Sequence, residues 1–66
     1  MESHMKLIHE ATGHEVKPGD TVVTRKGVTV TLMDYDGSGN RVYCDDNGTR
    51  KGWFPEVIGC RFVKTN

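Results

Sequence analysis

Sixty-six residues, 35% of them apolar and 27% charged, can build one small domain and no more. Nine Lys and Arg against nine Asp and Glu leave a formal net charge of zero, so the chain as a whole has no field to attract nucleic acid or an anionic membrane. No apolar run approaches the roughly 18 residues of a membrane span or has the form of a signal-peptide core, so the expectation is a cytoplasmic protein without a membrane partner.

Met1-Glu2-Ser3-His4 reads as a cloning leader ahead of a start at Met5, which leaves residues 5–66 as a single domain. Lys6–His9 and Glu15-Val16 are short extended segments that can pair across the Ala11-Thr12-Gly13 turn. Lys17-Pro18-Gly19-Asp20 is a second turn, and Thr21–Thr24 a second strand with Val22 inward. After Arg25-Lys26-Gly27 the chain alternates cleanly, with Val28, Val30 and Leu32 on one face and Thr29, Thr31 and Met33 on the other. That period of two predicts a half-buried strand over Val28–Asp34. Asp36-Gly37-Ser38-Gly39-Asn40 reverses the chain into a strand over Arg41–Asp45, with Val42 and Cys44 inward.

Asn47-Gly48 is the strongest hairpin signal, because a type I′ turn requires positive φ at both central residues. Thr49–Phe54 is its return strand. Pro55 lacks a backbone donor and ends that ladder, so Pro55–Ile58 forms a 3₁₀ turn before a last strand, Cys60–Val63. No segment sustains the i, i+3, i+4 apolar spacing of a helix. Five or six short antiparallel strands are too few for a two-sheet sandwich of any size, and a twisted, partly closed barrel hides their edges better. The expected fold class is therefore all-β, with a core of Leu7, Val22, Val28, Val30, Leu32, Val42, Cys44, Phe54, Val57 and Phe62. Cys44 and Cys60 allow one disulfide at most and are read as reduced, half-buried strand residues.

Over Lys17–Ile58 the chain resembles an SH3-like barrel. Lys17-Pro18-Gly19-Asp20-Thr21-Val22 is similar to the entry to the second SH3 strand, Asn47-Gly48 to the distal hairpin, and Gly52-Trp53-Phe54-Pro55 to the step before the 3₁₀ turn. Leu32-Met33-Asp34-Tyr35-Asp36 echoes the Ala-Leu-Tyr-Asp-Tyr motif of those domains, but follows the Gly-Asp strand where theirs precedes it. Ile58 stands where such domains place a ligand-facing tyrosine. Met5–Val63 also resembles small phage and prophage proteins. The pattern is carried by Leu7-Ile8-His9-Glu10-Ala11-Thr12-Gly13-His14-Glu15-Val16-Lys17-Pro18-Gly19-Asp20 and by Phe54-Pro55-Glu56-Val57-Ile58-Gly59. This second resemblance implies a mobile-element origin and brings no activity with it.

The candidate protein-binding residues are Trp53, Tyr35, Tyr43 and Pro55, whose flat faces suit an extended or proline-rich segment. The plainer alternative is that the rings only cover the ends of a small barrel. Arg25, Lys26, Arg41, Arg50 and Lys51 form a second candidate set, for a nucleic-acid strand stacked on Trp53 or Tyr43. Asp34, Asp36, Asp45 and Asp46 are interspersed with them, as on any mixed solvated surface.

His9, His14, Cys44 and Cys60 carry zinc-binding atoms without the paired spacing of a closed site, so no metal or cofactor is expected. Asp34, Asp36, Ser38 and Asn40 imitate part of a calcium loop, yet Asp45 occupies the twelfth position, where a glutamate is needed. No catalytic residues are nominated. The type II dihydrofolate reductases, enzymes built on a similar barrel, line a tetramer pore with Gln-Ile-Tyr-Pro, where this chain has Gly52-Trp53-Phe54-Pro55. The expected function is a non-enzymatic interaction module, a monomer or small homo-oligomer, that binds a host or phage protein through exposed aromatics. Nucleic-acid binding is the alternative, and catalysis in a shared oligomeric pore a more distant one.

Overall fold

The computed structural model describes residues 4–65, and the side chains of 5–64. Met1, Glu2 and Ser3 of the expected leader lie outside the described residues, and His4 opens the first strand. The elements run β1 (His4–His9), β2 (Thr21–Val23), β3 (Thr29–Asp36), β4 (Arg41–Asp46), β5 (Thr49–Trp53), a 3₁₀ turn (Pro55–Ile58) and β6 (Cys60–Thr65). The fold is all-β, as its turn spacing predicts. It consists of a two-stranded antiparallel sheet, β1-β6, and a four-stranded one in the order β2-β3-β4-β5. Both sheets turn their apolar face to one core, an arrangement consistent with an SH3-like barrel. No helix among the described residues is long and apolar enough to cross a membrane.

The expected pairing of Lys6–His9 with Glu15-Val16 survives only as a bridge between Ile8 and Glu15, supported by the Val16 N–H donating to the Leu7 carbonyl at 2.8 Å. The main partner of β1 is β6, in a register from His4–Thr65 to His9–Cys60. A bridge after so tight a turn buries one face of β1, while pairing with β6 closes the core from the far end of the chain.

At the β4–β5 hairpin, Asp46 faces Thr49, and Asn47 and Gly48 have φ of 53° and 87°, the signs that a type I′ turn demands. In the β3–β4 turn the positive φ belongs to Asn40, at 56°, and to neither glycine. Gly37 is there for space. A Cβ built on it would stand 2.5 Å from Met5 Cβ, so the turn packs directly on β1. Gly59, with φ of 68°, caps the 3₁₀ turn and redirects the chain into β6.

The buried core is Leu7, Val16, Val22, Val30, Leu32, Val42, Cys44, Ile58 and Cys60, with Tyr35, Trp53 and Phe62 packed on its margin. Three expected core residues, Val28, Phe54 and Val57, are outside it. Val28 is 43% exposed because the β2–β3 ladder starts at Val23–Thr29, which leaves Val28 in the turn. Phe54 is 47% exposed because it follows the last β4–β5 pair, Val42–Trp53, and alternation turns it outward. Val57 is only half-buried. Conversely Val16, Ile58 and Cys60 are core residues that a strand-by-strand reading passes over, since two of them lie outside any strand. Both cysteines are free and fully buried rather than half-buried.

Candidate functional site

The aromatic residues singled out in the sequence are distributed by strand register. Leu32 faces Cys44 and Asp34 faces Tyr43, so Met33 is an extra residue, a β-bulge, in β3. Unbroken alternation from Val30 and Leu32 would have sent Asp34 into the core and Tyr35 outward. The bulge resets the parity, so that Tyr35 faces Val42 on the core side and Asp34 stays in solvent. Tyr35 then meets Phe62 of β6, with ring centroids 5.6 Å apart and planes tilted by 56°, and so ties the two sheets together.

Tyr43 lies on the outer face of the four-stranded sheet. Its ring lies beside Gly52, where an added Cβ would come within 3.1 Å of it, and the Arg50 guanidinium sits 4.7 Å from its centroid. Arg41 covers the exposed Phe54 in the same manner, at 4.1 Å. Pro55 is buried at the start of the 3₁₀ turn. Trp53, Tyr35, Tyr43 and Pro55 therefore do not share one continuous surface.

Trp53 has a different neighbourhood. It occupies the core-facing side of β5 opposite Val42, but β5 is the edge of its sheet, so one flank of the ring has no strand beside it. That flank opens into a cleft of about 360 Å³. One wall is the β2–β3 turn, with Thr24, Arg25, Lys26 and Val28; the other is Val57 of the 3₁₀ turn, and Lys51 and Asp46 close the end. The walls are tied together, because the Arg25 N–H donates to the Val57 carbonyl at 3.0 Å. The turn itself is stiffened by the Val28 N–H donating to Thr24 Oγ1 at 3.2 Å and the Thr24 N–H donating to the Val28 carbonyl at 2.8 Å.

Three of the five basic candidates, Arg25, Lys26 and Lys51, thus join Trp53, while Arg41 and Arg50 lie over rings away from the cleft. Within it, Lys51 Nζ is paired with Asp46 Oδ2 at 2.9 Å. Val28 and Val57, expected in the core, are cleft residues. The sequence signal that could have found Val57 is its place in the turn just after Trp53, whereas only the fold brings Val28 to that ring.

The zinc-type residues separate into two regions. His9 and His14 are joined through the backbone, with the His9 N–H donating to the His14 carbonyl at 2.9 Å, whereas Cys44 and Cys60 belong to the core. Among the described residues no group of three or more His, Cys, Asp or Glu side chains is placed to hold a metal ion. Burial pushes both thiols up, Cys60 to about 11 with Cys44 and Glu10 adding to the effect. The Asp36 carboxylate is occupied within its own turn, accepting from Ser38 Oγ at 2.9 Å and from the Gly39 N–H at 3.1 Å. Those two donors, the Ser38 hydroxyl first, hold it below the usual carboxylate value. No family model matches the chain, nor does any curated protein or solved structure.

Proposed function

We propose that the chain is a non-enzymatic binding module of phage or mobile-element type, which holds a segment of a protein partner in the cleft at Trp53. The observation that supports this most directly is the position of the chain's single tryptophan, half-buried on an edge strand with one side of its ring facing a groove. Tryptophan offers a large rigid surface at small entropic cost and is a frequent anchor of protein interfaces. Val28 and Val57 line the groove with it, so apolar side chains stand among charged ones, the usual composition of a recognition site.

The meeting of Arg25, Lys26 and Lys51 at Trp53 favours a second reading, a nucleic-acid strand stacked on the ring. A strand needs cations spaced along its path, however. Here Arg41 and Arg50 are elsewhere, and Asp46 neutralises Lys51. Protein binding accounts better for the apolar side chains in the lining.

The test reads binding by isothermal titration calorimetry in every protein, with Trp53 emission as a second signal wherever the ring is present. Peptides selected on the domain from a displayed random library are titrated into the intact protein, into Trp53→Ala and into Val28→Asp, each first shown to be folded by circular dichroism. Emission should shift on binding to the intact protein, and both variants should lose affinity. Val28 is exposed, so its replacement separates lost contact from lost folding. Oligothymidylate serves as the competing probe, and binding that collapses steeply with salt would favour the second reading.

A further inference from the structure

We infer that the partner segment is acidic: an extended peptide that sets one apolar side chain on Trp53, between Val28 and Val57, and a carboxylate or two beside it against Arg25 and Lys26. The inference rests on the reading of the cleft as a protein site.

Charge complementarity carries it. The cleft holds three cations, Arg25, Lys26 and Lys51, and one carboxylate, Asp46. Lys51 and Asp46 satisfy each other at 2.9 Å, which leaves the two residues of the β2–β3 turn to set the field. Among the described residues neither Arg25 nor Lys26 has a carboxylate partner in an ion pair, whereas Arg61 has Glu10 at 3.7 Å. The two are also placed, not merely present. The Arg25 N–H bond to the Val57 carbonyl fixes the turn against the 3₁₀ element, and both residues line the cleft from that turn.

A carboxylate entering beside the apolar anchor meets two cations that have no carboxylate partner among the described residues, and a lysine entering there meets like charge, because Asp46 is held by Lys51. Such an arrangement selects partners as much by repulsion as by attraction. Apolar and charged side chains line the same cleft, which suits residues adjacent in an extended chain, whose side chains point alternately to opposite sides.

A yeast-displayed random dodecapeptide library is selected on the whole domain and on the charge-reversed double variant Arg25→Glu, Lys26→Glu. Both residues are exposed, so the variant should fold as the parent does. The parent pool should be enriched in Asp and Glu next to one large apolar residue. Synthetic peptides from it should bind the double variant about tenfold more weakly, and the variant's own pool should be enriched in Lys and Arg. A parent pool that depends on Trp53 and Val28 but shows no acidic excess overturns the inference and leaves the protein-site reading standing. A pool that binds Trp53→Ala and Val28→Asp as well as the parent overturns that reading too. If no peptide is enriched while oligothymidylate binds at low salt, both give way to the nucleic-acid reading.

Discussion

Replacing Gly37 by alanine tests whether the β3–β4 turn is wedged against β1. The added Cβ would lie 2.5 Å from Met5 Cβ and 2.6 Å from Met5 Cγ. Carbon atoms pack best at about 3.5–4.0 Å, so the two groups would have to separate by roughly 1 Å. No rotamer of Met5 relieves the contact, because Cβ moves only with the backbone, and Met5 is held in register opposite Lys64. The expected cost is that of overpacking, about 1–3 kcal/mol. At about 4–8 °C per kcal/mol for a domain of this size, the melting temperature should fall by roughly 5–20 °C. Gly48→Ala is the control, since its Cβ would meet nothing within 4 Å and the penalty comes from a φ of 87° alone, about 1–2 kcal/mol.

Urea denaturation followed by Trp53 emission gives both values, and a double-mutant cycle assigns the cause. Met5→Gly removes both clashing atoms, so it should recover about 1 kcal/mol or more of the Gly37→Ala loss and none of the Gly48→Ala loss. Additivity of Gly37→Ala with Met5→Gly, or a melting temperature unchanged by Gly37→Ala, would refute the steric argument.

Further outcomes follow from the titratable groups. Asp36 is held below its ordinary value of 3.8 by Ser38 and Gly39, so its ionised form is favoured in the folded state. Its contribution is present above that ordinary value and lost as pH falls through the lower folded one. Denaturation midpoints of Asp36→Ala should therefore depend less on pH on the acid side than the parent's. Cys60 is displaced the other way, from 9.0 to about 11, because burial disfavours the thiolate. Stability is fully present below pH 9 and should decline as pH rises toward 11, a slope that Cys60→Ala should reduce. For the same reason a thiol reagent at mildly alkaline pH should modify Cys44 and Cys60 of the folded protein only at the rate of its opening. Rapid labelling of the folded form would contradict their burial.

Local chemistry alone was enough to place the elements. Asn47-Gly48, the alternation from Val30 to Leu32 and the proline at 55 act within a few residues, so they specify a hairpin, a strand and a 3₁₀ turn whatever the rest of the chain does. Long-range pairing decided what those elements do together. The choice of β6 over Glu15-Val16 as the partner of β1 depends on contacts from the far end of the chain, and it brings Cys60 opposite His9 with its side chain in the core.

The site shows the same division. Trp53 and the basic pairs are visible as residue types, but parity along β3 and β5 decides which of them meet. The bulge at Met33 turns Tyr35 to the core, the end of a ladder exposes Phe54, and one hydrogen bond from Arg25 to Val57 closes a cleft between residues 32 positions apart (57 − 25). A strand shifted by a single residue reverses every side chain, and pairing between strands is settled only when the sheets assemble.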